Sequence, residues 1–317
     1  MPEFFIALGI IVVITAAVLG LSYYCFYRTF YASRKEKEKE SNSVTVKVVD
    51  NFTPFRGRIG EWRREVEALP RQDFEITSFD GLRLRATYYE YEKGAPIEIM
   101  FHGYRGNAHR DLCGGVIRAA KQGRSTLIVN HRASGDSEGS VVTFGINESR
   151  DCRAWIDLVL EKIDKDAKII LTGISMGAAT VLITAGRDDL PENVIGVIAD
   201  CGYSSPKEII KKTVKEMGFP PTLTYPFIKL GGKIYGHFNI DEFSPEEAMK
   251  KCKIPVIFLH GDCDDFVPYE MSVKNFEACA AEKKKLVAIE GAGHGVAFPV
   301  DEETYLNALA EFFADVY

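Results

Sequence analysis

The stretch Lys168-Ile-Ile-Leu-Thr-Gly-Ile-Ser-Met-Gly-Ala-Ala-Thr-Val-Leu-Ile-Thr-Ala-Gly186 decides the fold of this chain. It begins with an apolar run, Ile169 to Leu171, which is typical of a strand buried on both faces. It ends in an apolar, alanine-rich segment, Ala178 to Ala185, which predicts a buried helix. Between the two lies Gly173-Ile174-Ser175-Met176-Gly177, whose glycines allow a turn too tight for side chains. A strand, tight turn and helix in this order hold the hydroxyl of Ser175 out at the end of the strand.

The composition bounds the class of protein. The chain has 317 residues, of which 46% are hydrophobic and 26% charged, so that beyond an N-terminal segment one large α/β domain is expected. A net charge of -6, without basic residues interleaved with aromatic ones, argues against nucleic acid as a partner. Seven cysteines without framework spacing predict reduced thiols. Neither Cys-x-x-Cys nor His-x-x-x-His occurs, so we expect no metal site, and no pattern indicates an oligomeric state.

The N-terminal segment predicts a membrane anchor over residues 1–28. No residue from Phe4 to Phe26 is charged, and about 20 apolar helical residues cross a bilayer. Tyrosines lie at one end, where an interfacial aromatic belt is expected: Tyr23, Tyr24 and Tyr27. The alternatives are a cleaved secretory signal and a buried helix. Glu3 without a preceding Lys or Arg, the length of the run and the lack of an Ala-x-Ala site disfavour the signal.

The charges that flank this segment predict its orientation. Basic residues follow the span and none precedes it: Arg28, Arg34, Lys35, Lys37 and Lys39. The positive-inside rule therefore predicts a single-pass membrane protein whose body lies on the cytoplasmic side, in agreement with reduced cysteines. Residues 29–72 are interpreted as a juxtamembrane linker and an edge helix, Gly60 to Leu69, and residues 73–317 as the main domain.

Strand and helix patterns alternate through this domain. A hairpin with its turn at Asp80-Gly81 comes first. Further strands are predicted at 97–101, 125–130, 169–171, 194–199, 254–259 and 285–289, and helices at 111–122, 148–165, 178–185, 270–281 and 302–316. This alternation predicts a mostly parallel sheet covered by helices.

The loop His102-Gly103-Tyr104-Arg105-Gly106-Asn107 follows the strand at 97–101. Its backbone N–H groups face the carboxyl edge of the sheet, where open α/β sheets bind ligands. One interpretation is an oxyanion hole made by the backbone N–H groups of Tyr104 and Met176. The alternative is a plain turn in which His102 is a packing residue. The serine turn predicted at Gly173 to Gly177 favours the interpretation as an oxyanion hole.

Residues Ser204 to Lys251 interrupt the alternation of strands and helices. An insertion of this length is typical of a lid or binding loop, although a helical pair that completes the domain surface is the alternative. We predict a small helical lid over 205–249 whose apolar side lines an acyl or aromatic pocket. The proposed substrate-binding side chains are Phe219, Leu223, Tyr225 and Phe227.

The order of the polar residues along the chain carries a resemblance. Ser175 is followed by an aspartate after a late strand and by a histidine after the last strand, which is the order of α/β-hydrolases. From about residue 74 to the C-terminus the chain resembles α/β-hydrolases of the bacterial serine-esterase kind. The matching motifs are His102-Gly103, Gly173-Ile-Ser-Met-Gly177, His260-Gly-Asp-Cys-Asp-Asp-Phe-Val-Pro268 and Gly291-Ala-Gly-His-Gly295. The resemblance implies an eight-stranded, mostly parallel sheet with helices on both faces.

The resemblance also implies which residue is the acidic member of the catalytic site. In such families it lies in a His-Gly-x-x-Asp-x-x-Val-Pro pattern, which maps onto Asp264, with Asp262 and Asp265 as neighbouring alternatives. Three other histidines also end strands: His102, His131 and His260. His294 is preferred as the base because it follows the last strand in a glycine-flanked loop.

Together these residues predict a serine hydrolase that uses no cofactor, in which His294 activates Ser175 and Asp264 orients His294. The resemblance implies ester hydrolysis first, and the lid and anchor favour hydrophobic acyl or aryl esters. Thioester hydrolysis, acyl transfer and cleavage of small peptides use the same three residues. A non-catalytic, membrane-tethered binding module of this fold is the competing class.

Overall fold

A computed structural model describes residues 1–32 and 51–316. Eight strands form its sheet: β1 (Gln72–Thr77), β2 (Arg83–Tyr89), β3 (Ile97–Phe101), β4 (Ser125–Val129), β5 (Ile169–Ile174), β6 (Val194–Asp200), β7 (Val256–Gly261) and β8 (Lys284–Ile289). Their order across the sheet is β1-β2-β4-β3-β5-β6-β7-β8. β1 pairs with β2 and β2 with β4 in antiparallel register, and all further neighbours are parallel. The carboxyl ends of six strands therefore meet at one edge.

The helices of the described residues alternate with these strands. They are α1 (Pro2–Thr29), α2 (Arg56–Glu67), α3 (Ala108–Asp111), α4 (Cys113–Ala120), α5 (Ile146–Leu158), α6 (Met176–Ala185), α7 (Pro206–Glu216), α8 (Pro221–Tyr235), α9 (Pro245–Met249), α10 (Tyr269–Ala278), α11 (Ala297–Val300) and α12 (Glu302–Phe313). A 3₁₀ turn, Thr53–Phe55, precedes α2, and a π-helical turn, Val159–Ile163, continues α5. The predicted helix at 111–122 is instead divided at Leu112 into α3 and α4.

The sheet is buried on both faces. Alternate residues of the central strands point to opposite faces, so that Ile169 and Leu171 belong to one apolar core while Ile170 belongs to the other. Helices α5, α6, α9 and α10 cover the first face, and α2, α4 and α12 cover the second. The prediction of a mostly parallel, eight-stranded sheet with helices on both faces is confirmed.

The hairpin that opens the sheet forms where the alternating pattern predicts it. Phe74 pairs with Ala86 and Thr77 with Arg83 in the antiparallel register. Gly81 has a φ of 87°, a left-handed conformation that glycine adopts without steric cost. The turn at Asp80-Gly81 therefore sets the register of the strands.

Helix α1 has two parts with different surroundings. By length and composition it is the one helix of the described residues that could cross a membrane. Its side chains are exposed over most of the first 21 residues, whereas Ser22, Cys25 and Phe26 are buried against the rest of the protein. The exposed part is compatible with a membrane anchor, while the side of the membrane on which the body lies remains a prediction.

The start of the predicted linker is part of the folded domain. Phe30 and Ala32 are buried, and the backbone N–H of Ala32 donates to the carbonyl of Ser140 at 2.8 Å. The N–H of Val142 donates in turn to the carbonyl of Phe30 at 2.8 Å. These backbone hydrogen bonds thus join the first residues of this segment to the main domain. Residues 33–50 of the linker lie outside the described residues.

Candidate active site

Ser175 lies in a strained turn between β5 and α6. Its φ of 56° and ψ of -114° are unfavourable for a residue with a side chain. A Cβ at Gly173 would lie 2.1 Å from the backbone carbon of Gly177, and one at Gly177 would lie 2.0 Å from the carbonyl oxygen of Phe101. The backbone N–H of Ser175 donates to the carbonyl of Asp200, at the end of β6, at 2.8 Å. The two glycines and this bond hold the serine at the carboxyl edge of the sheet.

Three predicted site residues form one chain of hydrogen bonds. Nε2 of His294 lies 2.9 Å from Oγ of Ser175, and Nδ1 of His294 lies 2.7 Å from Oδ2 of Asp264. The three side chains follow β5, β7 and β8, which lie within one run of parallel neighbours in the sheet. All three residues are buried. An ionised Asp264 accepts a hydrogen bond from the protonated Nδ1, which leaves the unprotonated Nε2 as the acceptor for the serine hydroxyl.

The surroundings of Asp264 keep it ionised. Its Oδ1 accepts the backbone N–H groups of Phe266 at 3.0 Å and Val267 at 2.8 Å. Its Oδ2 accepts hydrogen bonds from Nε2 of His260 at 3.1 Å and from Nδ1 of His294. Burial by itself would raise the pKa of Asp264, but the hydrogen bonds and charges of His260 and His294 outweigh it, and this pKa lies well below its ordinary value. The carboxylate is therefore available to orient His294 at neutral pH.

The neighbouring aspartates face elsewhere. Asp262 and Asp265 are exposed, and Oδ1 of Asp262 accepts the backbone N–H of Gly291 at 2.7 Å. The carbonyl of Asp265 accepts Nζ of Lys212 at 2.7 Å. Of the three alternatives, the structure brings Asp264 to His294.

The other strand-end histidines have structural partners. The backbone N–H of His131 donates to Nε2 of His102 at 3.2 Å, so Nδ1 of His102 is the donor to the carbonyl of Gly103 at 2.8 Å. Burial lowers the pKa of both histidines, and they are neutral at pH 7. Nδ1 of His260 forms a hydrogen bond with Oγ of Ser272 at 2.7 Å, and its Nε2 forms one with Oδ2 of Asp264. Sequence reasoning missed this partner of Asp264, although its position four residues before the aspartate was a usable signal.

The predicted oxyanion loop lies next to the serine. A Cβ at Gly103 would be 3.5 Å from Cβ and 3.9 Å from Oγ of Ser175. Met176 is the first residue of α6, so its backbone N–H belongs to the first turn, whose amide groups have no partner within the helix. The helix dipole adds partial positive charge at the same place. The loop and the helix start therefore surround the serine hydroxyl, and the donor roles of Tyr104 and Met176 remain predictions.

The predicted substrate-binding residues lie in different environments. Tyr225 is buried and donates its hydroxyl to Oδ1 of Asp241, and its cluster includes Phe26 of α1 and the half-buried Phe227. Phe219 and Leu223 are 55% and 68% exposed. Much of the apolar side of the lid is thus covered by α1. The apolar stripe in the sequence identified a buried face without revealing its partner, and the assignment of these four residues to an acyl pocket remains a prediction.

One group of potential metal ligands occurs among the described residues, and it overlaps this site. Side-chain atoms of Cys201, Asp264 and His294 lie within 4.8 Å of one another. Burial raises the pKa of the Cys201 thiol well above its ordinary value, so this sulfur is protonated at neutral pH. Both other groups already hydrogen-bond along the chain that leads to Ser175. This donor set suits proton transfer better than metal binding.

The strand order and the strained serine turn define an α/β-hydrolase fold, and this is the fold of the chain. A family model described as alpha/beta hydrolase fold matches residues 99–228. The matched segment contains the predicted oxyanion loop, the serine turn and the first helix of the predicted lid. The fold and this match support a hydrolase activity for the protein.

Proteins with similar sequences include one from a bacterium and one from a yeast. The chain is 28% identical over 191 residues to the uncharacterized protein YqkD of Bacillus subtilis, an alignment that covers 60% of this chain and 62% of YqkD. It is 25% identical over 258 residues to protein bem46 of Schizosaccharomyces pombe, covering 80% of this chain and 79% of bem46.

Solved esterase structures share the fold. An esterase of Pyrococcus furiosus superimposes with a TM-score of 0.65 at 20% identity, over 79% of this chain and 92% of the esterase. Est1E from Butyrivibrio proteoclasticus, solved with ferulic acid bound, superimposes with a TM-score of 0.61 at 22% identity, over 76% of this chain and 98% of Est1E. At these identities the likeness concerns the fold alone.

Proposed function

We propose that the protein is a serine hydrolase that cleaves carboxylic esters with hydrophobic acyl or aryl groups. The observation that carries the proposal is the continuous hydrogen-bond chain from Ser175 through His294 to Asp264, at the end of a strained turn. Each link lies within the distance that general base catalysis requires. The esterases among the structures with the same fold agree with this chemistry.

The proposed reaction proceeds through an acyl-enzyme. Oγ of Ser175 attacks the ester carbonyl as its proton passes to Nε2 of His294. The ionised Asp264 stabilises the resulting imidazolium and remains deprotonated. His294 then gives the proton to the departing alcohol. In the second half-reaction His294 accepts a proton from water, which attacks the acyl-enzyme. His294 then returns this proton to Oγ of Ser175 as the bond to the acyl group breaks and the carboxylic acid leaves.

The backbone N–H groups of Tyr104 and Met176 are the proposed donors to the negative oxygen of the tetrahedral intermediate. Such a donor contributes about 3 kcal/mol to transition-state stabilisation. It does so because it is fixed in place before the charge develops. The N-terminus of α6 adds its dipole in the same direction.

Two features support a hydrophobic substrate. The lid exposes apolar side chains at Phe219 and Leu223, beside the turn that joins α7 and α8. Helix α1 supplies a long apolar segment that is proposed to anchor the protein in a membrane, with the body on the cytoplasmic side because the basic residues follow the span. A membrane-bound enzyme would meet amphipathic esters at the lipid surface.

The proposal is tested by labelling the full-length protein in detergent with a fluorophosphonate, beside Ser175→Ala. Ser149→Ala is the matched control, since Ser149 is also buried but bonds the carbonyl of Ile146 in α5. We expect labelling of the wild type and of Ser149→Ala, and none of Ser175→Ala. Folded wild-type protein that resists labelling would favour a non-catalytic binding module.

A substrate panel then separates the related activities. It contains p-nitrophenyl esters of increasing acyl length, an aryl ester, an acyl thioester and short peptide amides. We expect turnover to rise with the size of the apolar group. A preference for acetyl esters would reject the hydrophobic substrate class, and faster turnover of the thioester or the amide would replace ester hydrolysis as the proposed activity.

A further inference from the structure

The carboxyl-terminal end of α1 contacts the loop that carries one proposed oxyanion donor. The last carbonyls of a helix have no partner within it and need donors from elsewhere. In this protein the hydroxyl of Tyr104 donates to the carbonyl of Thr29 at 2.7 Å. Nη2 of Arg105 donates to the carbonyl of Tyr31 at 2.7 Å and to that of Arg28 at 3.3 Å. Two consecutive side chains of the loop therefore bind the end of the helix.

The backbone at these residues is constrained. Arg105 has a φ of 53°, which is unfavourable for a residue with a side chain and persists only where its surroundings hold it. The N–H of Gly106 donates to the carbonyl of Gly103 at 3.1 Å and closes the turn around Tyr104. The guanidinium of Arg105 lies 5.1 Å from the ring centre of Tyr104. Because Gly103 lies against Ser175, a shift of this turn would move the N–H of Tyr104 relative to the serine.

The segment that directly follows α1 reaches the second proposed donor. Ala32 is buried in one apolar cluster with Met176 and Val267, and the half-buried Tyr104 packs against that cluster. Further back, α1 packs closely on lid helix α8, where a Cβ at Gly231 would lie 2.3 Å from the carbonyl oxygen of Ser22. The end of the apolar helix is thus built into the domain beside both proposed donors.

We propose that residues 28–32, the last turn of α1 and the segment that directly follows it, position the oxyanion loop, and that the side chains of Tyr104 and Arg105 are the positioning groups that connect them. This inference rests on the proposed function, because it assigns a role to the loop only if Ser175 reacts. The helix then serves catalysis as well as anchoring. Its end replaces water as the partner of Tyr104 and Arg105 and fixes the N–H of Tyr104 before substrate binds, which is the condition for effective charge stabilisation.

The experiment compares Tyr104→Phe with Tyr235→Phe in the full-length protein. Each variant removes one tyrosine hydroxyl that donates to an α1 carbonyl, since the hydroxyl of Tyr235 in α8 donates to the carbonyl of Leu19 at 3.1 Å. Both should lower the melting temperature by similar small amounts. We expect kcat on a p-nitrophenyl ester to fall about tenfold in Tyr104→Phe, with KM within about twofold, and to stay within about twofold in Tyr235→Phe.

Arg105 supplies the second arm. Arg105→Ala should lower kcat about tenfold, and Arg105→Lys should recover part of it, because a lysine keeps a cationic donor at the helix end. The rate constant of fluorophosphonate labelling should follow the same order. If Tyr104→Phe and Arg105→Ala lower only the melting temperature while Ser175-dependent turnover is unchanged, the positioning role is rejected and the hydrolase proposal stands. If the wild type shows no Ser175-dependent turnover or labelling, both fail.

Discussion

Replacing Asp264 by asparagine separates the charge of this side chain from its shape. The Oδ1 atom of the asparagine can still accept the backbone N–H groups of Phe266 and Val267, so the turn keeps these bonds. At the other position an amide NH₂ replaces an oxygen that accepts Nδ1 of His294 at 2.7 Å and Nε2 of His260 at 3.1 Å. An NH₂ group cannot accept either bond. The local structure is therefore preserved while two acceptor contacts are lost.

The loss changes the tautomer of His294. To accept a bond from the new NH₂, Nδ1 must lose its proton, which then resides on Nε2, 2.9 Å from Oγ of Ser175. In that tautomer Nε2 cannot accept the serine proton, and no carboxylate stabilises the imidazolium. Loss of tautomer control of this kind lowers kcat by about 10⁴, which corresponds to about 5 kcal/mol in the activation free energy.

The assay is steady-state turnover of a p-nitrophenyl ester, with the rate of fluorophosphonate labelling as a second readout and circular dichroism as the test of folding. Asp262→Asn is the matched control, because Asp262 is exposed and its Oδ1 accepts a backbone N–H that asparagine also accepts. Its kcat should stay within about twofold of the wild type. A folded Asp264→Asn protein that retains a tenth or more of the wild-type kcat would refute the assignment of Asp264 as the residue that orients the base.

Three further predictions concern stability. Gly177→Ala should lower the free energy of unfolding in urea by about 3 kcal/mol or more, since its Cβ would lie 2.0 Å from the carbonyl oxygen of Phe101. The control is Gly57→Ala, in open space on α2, which should leave this free energy unchanged or raise it by about 0.5 kcal/mol. Equal effects of the two substitutions would contradict the reasoning. Glu98→Gln should lower the free energy of unfolding by about 3–5 kcal/mol, because Arg118 and Arg124 are buried against the carboxylate. A loss of less than about 1 kcal/mol would contradict this prediction. Burial raises the pKa of Glu98, but the two arginines outweigh it and lower the pKa from 4.5 to about 2, so the folded state binds the proton less tightly than the unfolded chain. The contribution of Glu98 to wild-type stability should therefore fall by up to about 3 kcal/mol as the pH drops from 4.5 to 2. If the stability of Glu98→Gln falls as steeply over this pH range as that of the wild type, the prediction is contradicted.

The sequence predicted the sheet because its signals are local. Apolar runs such as Ile169–Leu171 and the alternation around Asp80-Gly81 depend on neighbours along the chain, and the observed strands lie within a few residues of the predicted ones. Element ends were less accurate. The helix expected at 148–165 ends at Leu158 and continues as a π-helical turn, because the apolar stripe persists after the α-helical hydrogen bonds change.

The candidate site was predictable for a related reason. Ser175, Asp264 and His294 each follow a strand, and parallel strands of one sheet bring their carboxyl ends to the same edge. The order of these residues, together with the resemblance of the motif around Asp264 to that of α/β-hydrolases, therefore named them as candidates. The distances between their side chains and the ionised state of Asp264 depend on residues distant in sequence and required the structure.

The partner of each apolar face was decided by the tertiary structure alone. The sequence determined that the predicted lid has an apolar stripe and that α1 carries no charge from Phe4 to Phe26, since composition and periodicity are properties of a single segment. It did not determine that Phe26 of α1 and the following Phe30 share a core with Tyr225 of the predicted lid, or that Tyr104 and Arg105 bind the end of α1 and the residues after it. Hydrophobic burial is non-directional, so an apolar face specifies that it will be covered without specifying by what. Only the packing of the folded chain selects the partner.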